Sequence, residues 1–536
     1  MLRFTTLWKA NVIAFISSFC VMVIELVASR ILAPYIGVSL YTWTSIIGVI
    51  LGGISIGNFL GGKIADKYPS PIVLAVLLFC GGLLTVAILP IITLVTFKDL
   101  FGDLPVMLNF TLKTAFIFFI PALILSMVSP MVIKLTLADL GETGGVVGTI
   151  YAFSTAGAIL GTFMTGFYFI LWFGTRMIIW LIAAILIITG IIALFIWKPS
   201  AEGGSFFKRF VKWPLTLVVV LTYLFLFQYR ESWQEYFATE SNYFTIRVFE
   251  DVRDEQAVRS LYLDNFAQSY VIPDKPEILV YDYLKVLEEV IRYFARENQS
   301  PRVLHLGGGG YCLPRYLELV YPDSLNEVVE IDPAVTKVAH ILLGLPQETR
   351  VKTYNQDARN FLIKRESKER YDIIVGDVFN DYSTPFHLST MQFSRLVKSH
   401  MQKDGVYLLN VNDYEFSQYT PSFVHTLKQV FNHVYLFSVN EDWKKEDDGS
   451  LVVTSTDRII VATDRRIDLS GYMRFVTNNN QEEPIGYPLD EKELQNYLAH
   501  RKPLLLTDDY APTDILLAPI FKYEYSPDSI DENLDS

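Results

Sequence analysis

The sequence predicts two unlike halves: a multi-pass α-helical membrane domain of about seven helices, then an α/β, Rossmann-like domain introduced by a small β region. Three observations carry this. Mean hydropathy is +0.30 and only 19% of residues are charged, too apolar for a wholly soluble chain of 536 residues. Residues 1–229 hold 13 Lys and Arg against 7 Asp and Glu, net +6; residues 230–536 hold 32 against 50, net −18, so the formal −12 conceals two opposite parts. From about residue 300, short β-branched runs alternate with helical stretches, the pattern of a doubly wound parallel sheet. The expected domains are 1–229 (transmembrane), 230–275 (β-hairpin region) and 276–536 (α/β, with an acidic tail). A hydrophobic content of 51% and three cysteines without metal or redox spacing exclude a collagenous, disordered or disulfide-stapled protein.

In the first half, apolar runs near 11–29, 41–62, 72–96, 112–133, 146–172, 176–197 and 212–228 are each long enough to cross roughly 30 Å of hydrocarbon. The expected location is thus a cell membrane, with the lipid bilayer as partner. The first run is no signal peptide, because it carries Glu25, lacks a small-residue cleavage site and is followed by further spans. Nine loop cations (Arg3, Lys9, Lys63, Lys67, Lys134, Lys198, Lys208, Arg209, Lys212) lie on the amino-terminal side against five opposite, which predicts a cytoplasmic amino terminus. Seven crossings would carry the second half to the other face, and one helix fewer reverses that.

An acid inside a span is costly, so Glu25 marks either an ion or substrate path or a structural pair with Arg30. Tyr41-Thr42-Trp43-Thr44-Ser45 and Tyr151-Ala152-Phe153-Ser154-Thr155 form a short repeat, 110 residues apart. A displacement of three spans is the inverted arrangement of transporter cores. The alternative is simple close packing through small residues such as Gly48, Gly52, Gly57, Gly61, Gly157, Gly161 and Gly166. Gly62-Lys63-Ile64-Ala65-Asp66-Lys67 resembles a fragment of the basic loop of major facilitator transporters.

In the second half, Tyr243–Val248 and Ser260–Leu263 alternate around a charged turn and predict an antiparallel region. Val303–Leu306, Glu327–Ile331, Val351–Tyr354, Asp372–Val375 and Val406–Val411 predict the parallel strands, and Arg458–Ala462 a further one. The first runs into Gly307-Gly308-Gly309-Gly310-Tyr311-Cys312, glycines that let a ligand approach the backbone ahead of a helix amino terminus. Glu330 ends the next strand, 23 residues after Gly307, where an acid accepts both ribose hydroxyls of an adenosine. Cys312 replaces the last glycine of the dinucleotide fingerprint and no phosphate-binding lysine follows, which points to an adenosine without phosphates. Asp357, before Ala358, either accepts from an adenine amino group or caps a helix. Asp377, at the end of the fourth strand, suits acceptance of a proton from an attacking amine.

This order of motifs resembles the polyamine aminopropyltransferases, the spermidine synthase family, in the fused form with a transporter-like helical region. The resemblance implies that Gly307, Gly308, Gly309, Glu330, Asp357 and Ala358 bind decarboxylated S-adenosylmethionine and that Asp377 is the catalytic base. Arg259–Gln268 is similar to the family's second hairpin, Tyr281-Asp282-Tyr283-Leu284 to its substrate-contacting helix start, and Leu505–Pro512 to the fused subgroup. Three places depart from the family. Gly310 stands where the family has an Asp, Asp282-Tyr283 where it has His-Glu, and Asn380 and Asp381 where it has a second acid and Pro, with Pro385 arriving late. Gln268, Asp282, Asn380, Asp381 and Pro385 are the candidate contacts to the amine.

The implied chemistry is attack of a neutral amine on the methylene beside a sulfonium, which needs orientation and a base, not a metal or a covalent nucleophile. A polyamine such as putrescine would be the acceptor, decarboxylated S-adenosylmethionine the co-substrate rather than a bound cofactor, and spermidine the product. An acidic second half suits a cationic substrate and argues against nucleic acid; a homodimer is compatible with it. Two alternatives are another S-adenosylmethionine-dependent transferase, such as a methyltransferase, and a transporter or sensor whose second half binds polyamine without turnover.

Overall fold

The computed structural model describes residues 2–36, 39–97, 101, 104–137, 143–196, 236–253, 256–264, 266–298, 300–365, 370–378, 384–413, 417–440, 443–445, 451–453, 457–479 and 483–518. The chain divides into two compact units, the first within Met1–Gln234 and the second mainly Thr245–Ser536.

Among the described residues of the first unit, six helices are long and apolar enough to cross a membrane. They are built from α1 (Leu2–Ile36), α2 (Leu40–Lys67), α3 (Pro71–Phe97), a fourth span assembled from α4 (Val106–Thr114), a π-helical turn (Ala115–Phe119), α5 (Ile120–Ser126) and α6 (Val128–Thr136), then α7 (Thr143–Met164) and α8 (Ile170–Ile196). The run expected at 212–228 lies outside the described residues, as does the acidic tail. Helix α1 packs against α7, α2 against the fourth span, and α3 against α8, so each group of three rests on the other. Small residues make the close approaches: a Cβ on Gly57 would lie 2.3 Å from the Leu123 carbonyl oxygen, and one on Gly157 2.2 Å from that of Phe15. Packing accounts for these glycines but not for Gly48 or Gly166, where a Cβ would meet nothing within 4 Å. Among the described residues no ion pair joins Glu25 to Arg30, which corrects that expectation. Positions five apart on a helix point about 140° away from each other and do not meet.

The second unit opens with a four-stranded antiparallel sheet, β1 (Phe237–Glu240), β2 (Thr245–Arg253), β3 (Gln256–Leu263) and β4 (Phe266–Val271), in that order. After α9 (Asp282–Ala295) come β5 (Arg302–Leu306), α10 (Cys312–Val320), β6 (Leu325–Glu330), α11 (Pro333–Leu342), β7 (Lys352–Asn355), α12 (Ala358–Lys364), β8 (Tyr371–Gly376), α13 (Met391–Ser399) and β9 (Met401–Asn412). Beyond lie α14 (Tyr419–Leu427), β10 (His433–Val439), the small ribbon β11 (Trp443–Lys445) and β12 (Leu451–Val453), β13 (Asp457–Thr463), α15 (Leu469–Asn479), β14 (Gly486–Pro488) and α16 (Glu491–Ala499).

The large sheet runs β14-β10-β13-β9-β8-β5-β6-β7. The five strands from β9 to β7 are parallel, as their unbroken apolar runs predict for strands covered on both faces. At the other end β13, the further strand expected at Arg458–Ala462, and with it β10 and β14, add antiparallel, β13 pairing with β9 from Asp457↔Asn412 to Thr463↔Val406. Strand alternation turns Ile373 and Val375, Val406 and Leu408, and Ile459 and Val461 to one face, where Leu284, Leu287, Val290 and Ile291 of α9 cover them. The chain winds outward from β5 through β6 to β7 and then crosses back from β7 to β8 on the other side of β5, so a crevice opens at the carboxyl ends where the order reverses.

Candidate active site

The crevice floor is set by the turn after β5. Gly307 adopts φ +96°, and a Cβ there would fall 2.0 Å from the Asp377 carbonyl oxygen, so no other residue fits. Its N–H donates to Val329 O at 2.9 Å while Asp377 N–H donates to Leu306 O at 2.9 Å, tying together the ends of β5, β6 and β8. Glu330, at the end of β6, accepts from Gly308 N–H (2.8 Å) and Asp332 N–H (2.9 Å), one amide on each carboxylate oxygen. Its side chain is buried; burial pushes its carboxyl above the ordinary range and the amide bonds oppose that shift.

Gly310 explains one departure in physical terms. Its N–H donates to Ser269 Oγ of β4 at 2.8 Å, and a Cβ would come 2.6 Å from Ser269 Cβ. The room an acidic side chain would need at this place is filled by β4.

Asp377 is gripped from two sides. Tyr283 Oη donates to its Oδ2 at 3.1 Å and Asn410 Nδ2 to its Oδ1 at 3.0 Å. Burial raises the Asp377 carboxyl above the ordinary value, and these two donors pull it partly back. Tyr283 is itself buried, and burial together with the Asp377 charge drives its hydroxyl well up, so it stays a donor. Tyr270, Tyr281 and Tyr283 line up with ring centroids 4.7 and 5.4 Å apart.

Asp357 ends β7 and makes the predicted cap, Oδ1 accepting from Asn360 N–H at 2.8 Å, while Oδ2 meets His387 Nε2 at 3.1 Å. Ala358 follows, buried at the start of α12. Next to it Arg359 donates to Asp508 Oδ1 at 2.8 Å and to His387 O at 3.1 Å, and Thr390 Oγ1 donates to Asp508 at 2.7 Å. Arg359 holds the Asp508 carboxyl below its usual range. The Leu505–Pro512 stretch is thereby fastened to the rim.

The described amine candidates sit on or beside separate elements, Gln268 on β4, Asp282 at the start of α9 and Pro385 before a 3-10 turn. Asp282 is exposed at the start of α9 and pairs with Lys285 at 2.7 Å. Gln268 has a buried Nε2 with no hydrogen-bond partner among the described residues. Pro385 leads into a single 3-10 turn, Phe386–Leu388, and Asn380 and Asp381 lie outside the described residues. Sequence reasoning missed Asn410 and Asp457. The signal for Asn410 was a polar residue at the end of an otherwise apolar strand; for Asp457 it was an acid opening the strand Arg458–Ala462. Burial, followed by the charges of Asp377 and Asp282, pushes the Asp457 carboxyl up to about 6, with Arg458 opposing.

Residues 287–440 match the spermine/spermidine synthase domain. That segment contains Gly307, Glu330, Asp357, Asp377 and Asn410 and leaves Asp457 outside. The chain is similar to the polyamine aminopropyltransferase of Vibrio vulnificus (strain CMCP6), 30% identical over 231 residues, which cover 41% of this chain and 71% of that protein. An eEF1A lysine and N-terminal methyltransferase of Bos taurus is 32% identical over 118 residues, 20% of this chain and 17% of that protein. A probable spermidine synthase from Corynebacterium glutamicum ATCC 13032 aligns with TM-score 0.43 and 21% identity over 50% of this chain and 94% of that one. With a match running through more than two thirds of an aminopropyltransferase, the chain belongs to the polyamine aminopropyltransferase family, the spermine/spermidine synthases, and is a transferase of that type.

Proposed function

We propose that this protein is a membrane-anchored aminopropyltransferase, moving an aminopropyl group from decarboxylated S-adenosylmethionine to a diamine such as putrescine and yielding spermidine and methylthioadenosine. The single observation that carries the reading is the grip on Asp377: a carboxylate at the switch-point crevice, oriented by Tyr283 and Asn410, with its carbonyl against Gly307. In this reading Glu330 keeps lone pairs for the ribose hydroxyls while backbone amides fix it. The turn Gly307-Gly308-Gly309 admits the nucleoside, and Asp357 with Ala358 borders the adenine. The amine nitrogen attacks the methylene carbon on sulfur; the carbon–sulfur bond breaks, its electron pair stays on the thioether, and the amine's proton passes to Asp377. The sulfonium is already an activated leaving group, so positioning and one base suffice. Six apolar helices support a multi-pass membrane location. A carboxy-terminal reporter active on one side of the bilayer tests the orientation.

A second reading, methyl transfer from S-adenosylmethionine, draws support from Gly310, where no acid meets the donor's amine, and from the methyltransferase similarity. Purified protein in detergent, given putrescine with either sulfonium donor, distinguishes them: methylthioadenosine release supports the first, S-adenosylhomocysteine the second. Neither product would sink both.

A further inference from the structure

Strand alternation assigns a place to Asp457. On β9, residues 406, 408, 410 and 412 share the α9 face, and the register Asp457↔Asn412 and Ile459↔Asn410 turns Asp457 to that same face. On β8, Ile373 and Val375 lie on this face and Gly376 pairs with Leu409, so Asp377 comes level with Asn410 and is hydrogen-bonded to it. Asp377, Asn410, Asn412 and Asp457 therefore form one row across three strands at the carboxyl edge, immediately beyond the apolar core. The start of α9 covers the row: Tyr283 reaches Asp377, and the ring of Tyr281 lies 5.4 Å from that of Tyr283.

Within the row, Asn410 is 7% exposed; its Nδ2 donates to Asp377 and its Oδ1 is a buried acceptor with no donor among the described residues. An N–H-bearing ligand beside Asp377 would satisfy it, and leaving it unsatisfied costs about 1–3 kcal/mol. Two strand spacings across the sheet and a two-residue step along it, roughly 12 Å at the backbone, separate Asp377 from Asp457. Two side chains turned to the same face shorten that gap to one a short aliphatic chain with a nitrogen at each end can bridge. The aromatic cover suits its methylenes and cationic ends.

We propose that Asp457 is a specificity-determining carboxylate of the acceptor site, holding the far ammonium of an aliphatic diamine while the near, neutral nitrogen sits at Asp377 and Asn410. The inference rests on the aminopropyl-transfer reading and makes it narrower: the acceptor must carry a second positive charge.

The test compares putrescine with n-butylamine, equal in carbon chain and lacking the second charge, in the full-length protein. In Asp457→Asn the KM for putrescine is expected to rise at least about ten-fold with the KM for the sulfonium donor unchanged, and the preference for putrescine over butylamine to shrink by a similar factor. Asp457→Glu should restore part of the preference. A merely structural role would weaken both amines alike and leave the preference intact, which overturns the inference, as does an unchanged KM for putrescine. If the wild type turns over neither donor, calorimetric titration with putrescine replaces kinetics. Binding lost in Asp457→Asn, with methylthioadenosine binding retained, supports the assignment although catalysis fails. Equal binding, or none to the wild type, refutes it.

Discussion

Tyr283 Oη donates to Asp377 Oδ2 at 3.1 Å, joining the first turn of α9 to the end of β8 across the crevice. The bond favours the ionised carboxylate against the burial that disfavours it. Tyr283→Phe therefore raises the Asp377 pKa further. A base works only when ionised, so activity is lost as pH falls through that pKa, and the acid limb of the kcat/KM profile should move to higher pH. A profile superimposable on the wild type would contradict the role given to this hydroxyl.

Asp377→Asn keeps the shape and, with a single acceptor oxygen in place of two, one of the two contacts accepted from Tyr283 and Asn410, but removes the carboxylate proposed to take the proton. Methylthioadenosine release should fall about 10²- to 10⁴-fold, while calorimetric binding of methylthioadenosine changes little. Retained turnover would remove Asp377 from the chemistry.

Gly310→Ala places a methyl group 2.6 Å from Ser269 Cβ. The overpacking should cost about 1–3 kcal/mol, read as a lower melting temperature. Equal melting of wild type and Gly310→Ala would mean that β4 yields easily at this point.

Asp457 ionises near 3.9 in an unfolded chain and at about 6 in the folded protein. The stability from its bound proton is complete below the first value and lost as pH rises through the second. At about pH 7.5 the wild type thus carries a charge that folding disfavours by on the order of 1–3 kcal/mol. Asp457→Asn should melt higher there and converge with the wild type near pH 4. A difference constant across this range would place its origin elsewhere.

In the first unit, Gly157→Leu sets a bulky side chain against the α1 backbone at Phe15 and should reduce the yield of monodisperse protein in detergent. Gly166→Leu, where a Cβ meets nothing within 4 Å, is the control expected to behave as wild type.

Much of this was legible in the chain because it is local. A strand, a glycine turn and an acid 23 residues on lie within one βαβ unit, and Glu330 is seated by Gly308 as that spacing implies. Asp357 displays its cap because caps depend on neighbours three residues away. What escaped depends on pairing across the sheet. Asp457 follows Asp377 by 80 residues and reaches the same edge only because β13 runs antiparallel beside β9. Similarly, the closure of the Gly310 position comes from Ser269, 41 residues upstream, and nothing around Gly310 announces it. The alternative that Glu25 pairs with Arg30 fails for the opposite reason, because nearness along a helix is not nearness in space.

The insertion of β13 between β9 and β10 bears on how this protein can be divided. A fragment cut at residue 440, where the family domain match ends, would stop inside a continuous sheet. It would lack the strand filling the gap and expose two long ladders of unpaired amides and carbonyls to other molecules. Asp508, which fastens Arg359 at the rim, would go with it. The smallest piece of the second unit worth expressing therefore extends through Leu517, and aggregation of anything shorter would report a severed sheet rather than a dependence on the apolar helices of the first unit.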